Sequence, residues 1–409
     1  MRYGIGYKGS KNGIADKIIS LLPDAENFYD LFAGGCAVTH AALLSGKYEL
    51  FYANDIDVAP QLFRDAINGK YRNETRWISH EDFVRLKDSD PYVRYCWSFG
   101  NSGRGYLYSK EVEPWKKALH YARLFNDFSL LNEIGIDTKD ASMIWIKAHS
   151  KECKEKYIKW YCKTVLKSDY DTEKLRLCLT KKIKENTENL RNYLLEGLKK
   201  ANKRPCDVDK FLGTNGMAGH YFGRSQWEFP TREVYEKLQG FLYLPQSYND
   251  IYGLQELCES LERLERLESL ESLQRLERLQ SLESLERLQR LSISQQSYDK
   301  VQIKPNSVIY CDIPYRNTSG YEINGKNSFN HEAFYSWCEE QKELVVVSEY
   351  SMPESRFECI AIFKKRQTLN GQGSGKLVDE KLFIPKKQLH LWLPLKVDIE
   401  AKDKQLLLF

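Results

Sequence analysis

The chain has ten cysteines in 409 residues but no Cys-x-x-Cys pair of the kind that holds zinc. Cys36, Cys96, Cys258 and Cys311 sit in apolar or helical contexts. Free buried thiols in a reducing cytosol fit this scatter, and no metal site is expected. Long apolar runs are also missing. None approaches the roughly 20 residues that a membrane span requires. Glycines and lysines, not a secretory leader, begin the chain. The expectation is a cytoplasmic protein with no membrane association. An excess of one charge sign is lacking too, since the net charge is +4 and the pI near 8.3. Such mild basicity permits nucleic-acid binding without arguing for it, and a local basic patch would matter more.

What is present reads as a folded globular protein, with 42% hydrophobic and 13% aromatic residues. The length suffices for about two or three domains. Residues 1–85 read as α/β, with helices at Gly13–Leu22 and Cys36–Leu44 and strands at Phe28–Phe32 and Leu50–Ala53. The pattern returns over 292–409. Strands are expected there at Lys300–Ile303, Val308–Cys311, Leu344–Ser348, Cys359–Phe363 and Lys381–Ile384, with a helix at His331–Lys342. Residues 86–253 differ: they are rich in Lys, Tyr and Trp and show few strands. Lys147, Lys151, Lys154, Lys159, Lys163 and Lys167 give the helical stretch Asp140–Lys167 a basic face. Either a solvated surface or a phosphate-tracking one accounts for it. Two glycine-aromatic loops, Trp97–Tyr106 and Asn215–Arg224, suit contacts to bases and phosphates but are ordinary loop compositions as well.

Residues 254–291 are of low complexity. Leucine recurs at every third position from Leu261 to Leu291, with Glu, Arg, Ser and Gln between. On an α-helix each leucine lags the last by about 60°, so no straight stripe forms. A long helix or helical hairpin is expected, either as a self-association or DNA-spanning arm or as a tolerated expansion on a surface helix.

The strongest chemical signal is Asp312-Ile313-Pro314-Tyr315, which follows the apolar run Val308-Ile309-Tyr310-Cys311. A buried strand ending this way puts a carboxylate, a stiff carbonyl and a ring at the strand's C-terminal edge, where open α/β sheets bind ligands. Carboxylate and carbonyl can accept the two N–H groups of an exocyclic amine while the ring stacks on the base. Upstream, Phe32-Ala33-Gly34-Gly35 links a strand to a helix, and Asp55 closes the next strand. Glycines there admit a ligand to the backbone, and the acid suits ribose hydroxyls.

In these motifs and their order the sequence resembles the Dam-type DNA adenine methyltransferases, over roughly residues 3–60 and 300–385. The resemblance implies a Rossmann-like mixed-sheet methyltransferase domain formed by 1–85 and 292–409. It further implies an inserted, mainly helical target-recognition region at 86–253, which the low-complexity segment 254–291, helical by its composition, follows. It also implies S-adenosylmethionine as cofactor and double-stranded DNA as partner. Tyr7-Lys8-Gly9-Ser10-Lys11 matches the family's N-terminal pattern and assigns Tyr7 and Lys11 to the cofactor, joined by Phe32, Gly34, Asp55 and Asp312. Asp312, Ile313, Pro314 and Tyr315 take the catalytic motif, and 378–382 resembles a late family element. Two positions depart from the pattern. Cys36 stands where the family has its second glycine, and Ile313 replaces the first proline of the catalytic motif. The expected reaction is methyl transfer to the amine of a flipped adenine. The alternatives are a DNA-binding relative silenced by Ile313 and a scaffold working through 254–291.

Overall fold

The computed structural model describes residues 3–137, 142–165, 183–224, 227–253, 255, 271–282, 290–316, 329–366 and 377–392. The chain divides into two compact units, Met1–Leu107 with Ser272–Phe409, and Tyr108–Glu271. The divisions fall after Leu107 and Glu271, so the end of the leucine repeat belongs with the sheet.

The first unit is built on a seven-stranded sheet. Its strands are β1 (Asn27–Asp30), β2 (Leu50–Asp55), β3 (Leu291–Gln295), β4 (Ser307–Asp312), β5 (Leu344–Glu349), β6 (Phe357–Arg366) and β7 (Leu377–Pro385). Their order is β3-β2-β1-β4-β5-β7-β6. The first five are parallel, and β7 runs antiparallel to both β5 and β6. β1 and β5 are buried throughout, as is β4 up to Asp312. That explains why they read as continuous apolar runs and not as alternating ones. The chain winds from β1 out to β2 and β3, then returns to β4 beside β1. The C-terminal ends of β1 and β4 therefore lie together at a topological switch point, where such sheets bind ligands. The arrangement is consistent with a methyltransferase fold.

Most sequence-expected strands are present within a few residues of the expected bounds, but Lys300–Ile303 is not one of them. The edge beside β2 is taken by Leu291–Gln295. The polar backbone after Lys300 is satisfied by a side chain instead of a ladder. The Tyr29 hydroxyl donates to the Gln302 carbonyl and accepts from the Lys304 amide, each at 3.2 Å. The expected helices appear as α1 (Ala15–Leu21), α2 (Ala37–Ser45) and His331–Glu340. Part of the leucine repeat forms the helix Glu271–Gln280, and its remainder lies outside the described residues. Leu273, Leu276 and Leu279 spread over about 120° of that helix, yet all three are buried. The leucine face of this stretch is therefore buried, while Gln274 and Glu277 on the other face stay exposed.

The described part of the second unit is helical, including Glu113–Phe125, Ser150–Thr164, Ile183–Lys200, Pro205–Leu212 and Arg232–Phe241. The lysine-rich stretch is two helices, Met143–Ala148 and Ser150–Thr164, with Lys167 outside the described residues. Within the Asn215–Arg224 loop, Tyr221 and Phe222 are buried in a core with Leu194, Tyr235 and Leu238. These two rings are packing residues, which removes them from any face that meets bases. Among the described residues no helix is long and apolar enough to cross a membrane.

Candidate active site

Each strand bordering the switch point ends in an acid: Asp55 on β2, Asp30 on β1, Asp312 on β4 and Glu349 on β5. Glu380 on β7 joins them from the antiparallel side. Lys11 reaches into this row. Its Nζ lies 2.7 Å from each Asp312 carboxylate oxygen and 3.7 Å from Glu380 Oε1. Burial alone would push the Lys11 ammonium down, but Asp312 and Glu380 outweigh it and hold its pKa above the ordinary lysine value. The group is therefore a fixed cation.

Tyr315 lies in the same cluster. Its hydroxyl donates to Asp312 Oδ1 at 3.1 Å and also meets Glu380 Oε1. Lys11 Nζ sits 4.9 Å from its ring centroid, and the Tyr350 ring stands edge-on at 4.6 Å. Burial, then the two neighbouring carboxylates, push the Tyr315 phenol well up, so it stays a donor. Ile313 is buried in the apolar cluster of β1, β4 and β5 with Tyr29, Leu31 and Val347. The Pro314 carbonyl pairs with His331 Nε2 at 2.9 Å. Packing on one side and this bond on the other fix the turn's course.

On the β1 side, the Gly34 amide donates to Asp55 Oδ2 at 2.8 Å, and the Asp57 amide donates to Asp55 Oδ1 at 3.0 Å. Asp55 thus stabilises the glycine turn. Burial raises its pKa to about 6 despite those donors. The close approach that the glycines permit comes from the chain itself. A Cβ on Gly34 would lie 2.7 Å from the Tyr7 ring, and one on Gly35 would lie 2.7 Å from Tyr7 Cβ and 2.9 Å from the Ile5 carbonyl. Cys36, standing where the family pattern has glycine, adopts the left-handed φ of 56° that glycine favours. The turn keeps that path at a cost of about 1–2 kcal/mol. Phe32 packs with Tyr298, Phe329 and Phe334 at ring separations of 5.5, 5.7 and 5.8 Å. Gly35→Ala should therefore lift Tyr7 off the turn and cost about 1–3 kcal/mol. Thermal melting, with faster proteolysis after Lys8, checks this.

Asp30 and Glu349 were not singled out from the sequence, and Glu380 was marked only as part of the 378–382 element, without a role at the site. Asp30 and Glu349 carry the signal that revealed Asp312, an acid closing an apolar strand run. Asp30 Oδ2 accepts from the Thr39 hydroxyl at 2.7 Å and from its amide at 3.2 Å. Asp30 Oδ1 is buried without a hydrogen-bond partner among the described residues. Burial is the main reason that the Asp30 pKa rises to about 7, and Asp312 adds to it. A carboxyl raised in the folded state stabilises fully below its unfolded value, near 4, and loses that contribution as pH climbs through 7. The slope is up to about 1.4 kcal/mol per pH unit per group. Asp30→Asn should therefore melt higher than the parent at pH 8, with the gap closing at pH 5. Melting curves at the two pH values test it.

A mostly parallel sheet with a glycine turn and a row of acids at its switch point is the architecture of α/β proteins, the class whose ligand sites lie at the strand ends. Within that class, residues 7–85 match the model of the D12 class N6 adenine-specific DNA methyltransferase family. The match contains Tyr7, Lys11, Phe32, Gly34, Asp30 and Asp55. Asp312 lies beyond it, joined to it through Lys11. No curated protein matches the chain.

Proposed function

We propose that the protein transfers a methyl group from S-adenosylmethionine to the exocyclic amine of an adenine flipped out of duplex DNA. The observation that carries this reading is Asp312, a carboxylate at the switch point whose oxygens already hold a nitrogen donor, Lys11, at 2.7 Å. An acceptor built to grip one N–H cation is suited to gripping an amine that gains positive charge as it is alkylated. Asp312 and the Ile313 carbonyl accept the two amine hydrogens and aim the nitrogen lone pair. As the new N–C bond replaces the S–C bond and leaves a neutral thioether, the alkylated nitrogen would shed one hydrogen as a proton along its bond to Asp312. Tyr315 offers a ring for stacking, and its hydroxyl steadies Asp312. Burial of the Ile313 side chain stands in for the missing proline ring by holding the accepting carbonyl in place.

The residues fit the cofactor. A cationic ligand is complemented by a row of strand-end acids, including the unpartnered oxygen of Asp30. When bound, S-adenosylmethionine supplies an electrophilic methyl group carried on a sulfonium. Tyr7, Lys11, Phe32, Gly34, Asp55 and Asp312 are the residues that would hold it. The test is transfer of labelled methyl from S-adenosylmethionine to duplex DNA, followed by nucleoside analysis. Label in N6-methyladenine is expected. Label in cytosine alone, or none despite cofactor binding, overturns the reading.

A further inference from the structure

The helix Glu271–Gln280 lies within the low-complexity repeat, yet it makes specific contacts with the loops around the candidate site. Arg278 donates from Nη2 to the Tyr3 carbonyl at 2.6 Å and from Nε to the Gly4 carbonyl at 3.1 Å. One turn earlier, Arg275 Nη1 donates to the carbonyls of Cys96 and Ser98, at 2.9 and 2.8 Å. Gln280 Nε2 donates to the Arg72 carbonyl at 3.0 Å. Beneath these polar ties Leu273, Leu276 and Leu279 are buried.

The two gripped loops form one wall. The first runs from Tyr3 to Lys11. Its Ile5 amide donates to the Gly35 carbonyl at 2.8 Å, and its Gly4 amide donates to His40 Nδ1 at 3.1 Å. The second carries Tyr95, whose ring lies 5.5 Å from that of Tyr7, and Asn101, whose side chain lies against Gly6. Burial, and then Arg278, lower the His40 pKa to about 4, which keeps its ring neutral and able to accept from Gly4.

We propose that this helix is a buckle, with Arg275 and Arg278 as positioning residues that tie the loop bearing Tyr7 and Lys11 to the loop bearing Asn101 and so set the cofactor-side wall. The proposal rests on the methyl-transfer reading for its link to catalysis. The sequence supplies an internal control. The docked heptad, Leu-x-Arg-Leu-x-Arg-Leu at 273–279, recurs unchanged in pattern at 261–267 and 285–291. A generic effect of repeat charge would be felt equally in any copy, whereas the proposed buckle predicts an effect tied to the contacts of Arg275 and Arg278.

The test compares Arg275→Lys/Arg278→Lys with Arg263→Lys/Arg266→Lys in the full chain. Lysine keeps the charge but lacks the fork that spans two carbonyls. The first variant is expected to raise the KM for S-adenosylmethionine about tenfold, with kcat and the KM for DNA within about twofold. Without cofactor it should also speed hydrogen exchange at the Gly4 and Ile5 amides. The second variant should change neither. Unaltered exchange and KM in the first, or equal changes in both, overturns the proposal. If the parent transfers no methyl group but exchange rises only in the first variant, the methyl-transfer reading fails and the buckle stands.

Discussion

Asp312→Ala is expected to lower methyl transfer to adenine by about a thousandfold or more while leaving the fold intact. A preorganised acceptor aimed at developing charge is commonly worth factors of about 100–1,000 on its own. Here the same group also fixes Lys11 and Tyr315. The fold should survive because Lys11 keeps Glu380, at 3.7 Å, as a partner and because the Asp312 side chain is 21% exposed, so its loss opens no sealed cavity. Asp312→Asn should be intermediate. The amide retains one acceptor oxygen of the same shape but loses the charge and presents an N–H towards Lys11. Kinetics with labelled cofactor, at matched melting temperatures, measure both variants. Turnover by Asp312→Ala within tenfold of the parent would remove Asp312 from the mechanism.

The site was legible where chemistry and local pattern coincide. Asp312 could be read from an apolar strand run that ends in an acid and a proline, and Gly34 from a strand-to-helix turn. The same signal marks Asp30 and Glu349, but a two-residue echo is not distinctive until the sheet sets those strand ends side by side. The 378–382 element was marked by its resemblance, but the role of Glu380 was not, because its strand is antiparallel and Lys11 is far away in sequence. The glycine turn was read as a cradle for ligand, and its nearest occupant proved to be Tyr7. Sequence shows that a position needs room, not what fills it. Lys300–Ile303 looked like a strand by composition, but the Tyr29 hydroxyl competes for its backbone. The repeat hid its role most completely. A leucine at every third position draws no stripe on a helix, so burial on one side could not be inferred from period alone.

Lys11→Met should be the most destabilising of these substitutions. Lys11 is 5% exposed and Glu380 2%. Removing the ammonium takes away the cation 3.7 Å from a sealed Glu380 and leaves the carboxylate of Asp312 without the same partner. Breaking a buried pair by deleting one partner costs about 3–5 kcal/mol, since the remaining charge keeps its desolvation penalty and loses its compensation. For a unit of this size that corresponds to a fall in Tm of about 10 °C. The penalty should be relieved by a second change. Lys11→Met with Glu380→Gln removes the stranded charge while the amide can still accept from the Tyr315 hydroxyl. The double variant is expected to melt well above Lys11→Met alone, although Glu380→Gln by itself should be neutral or destabilising. That reversal of sign is the signature of coupling between the two residues. Strictly additive melting shifts would mean that Lys11 and Glu380 are not coupled and that the pairing of Lys11 with Asp312 carries the effect.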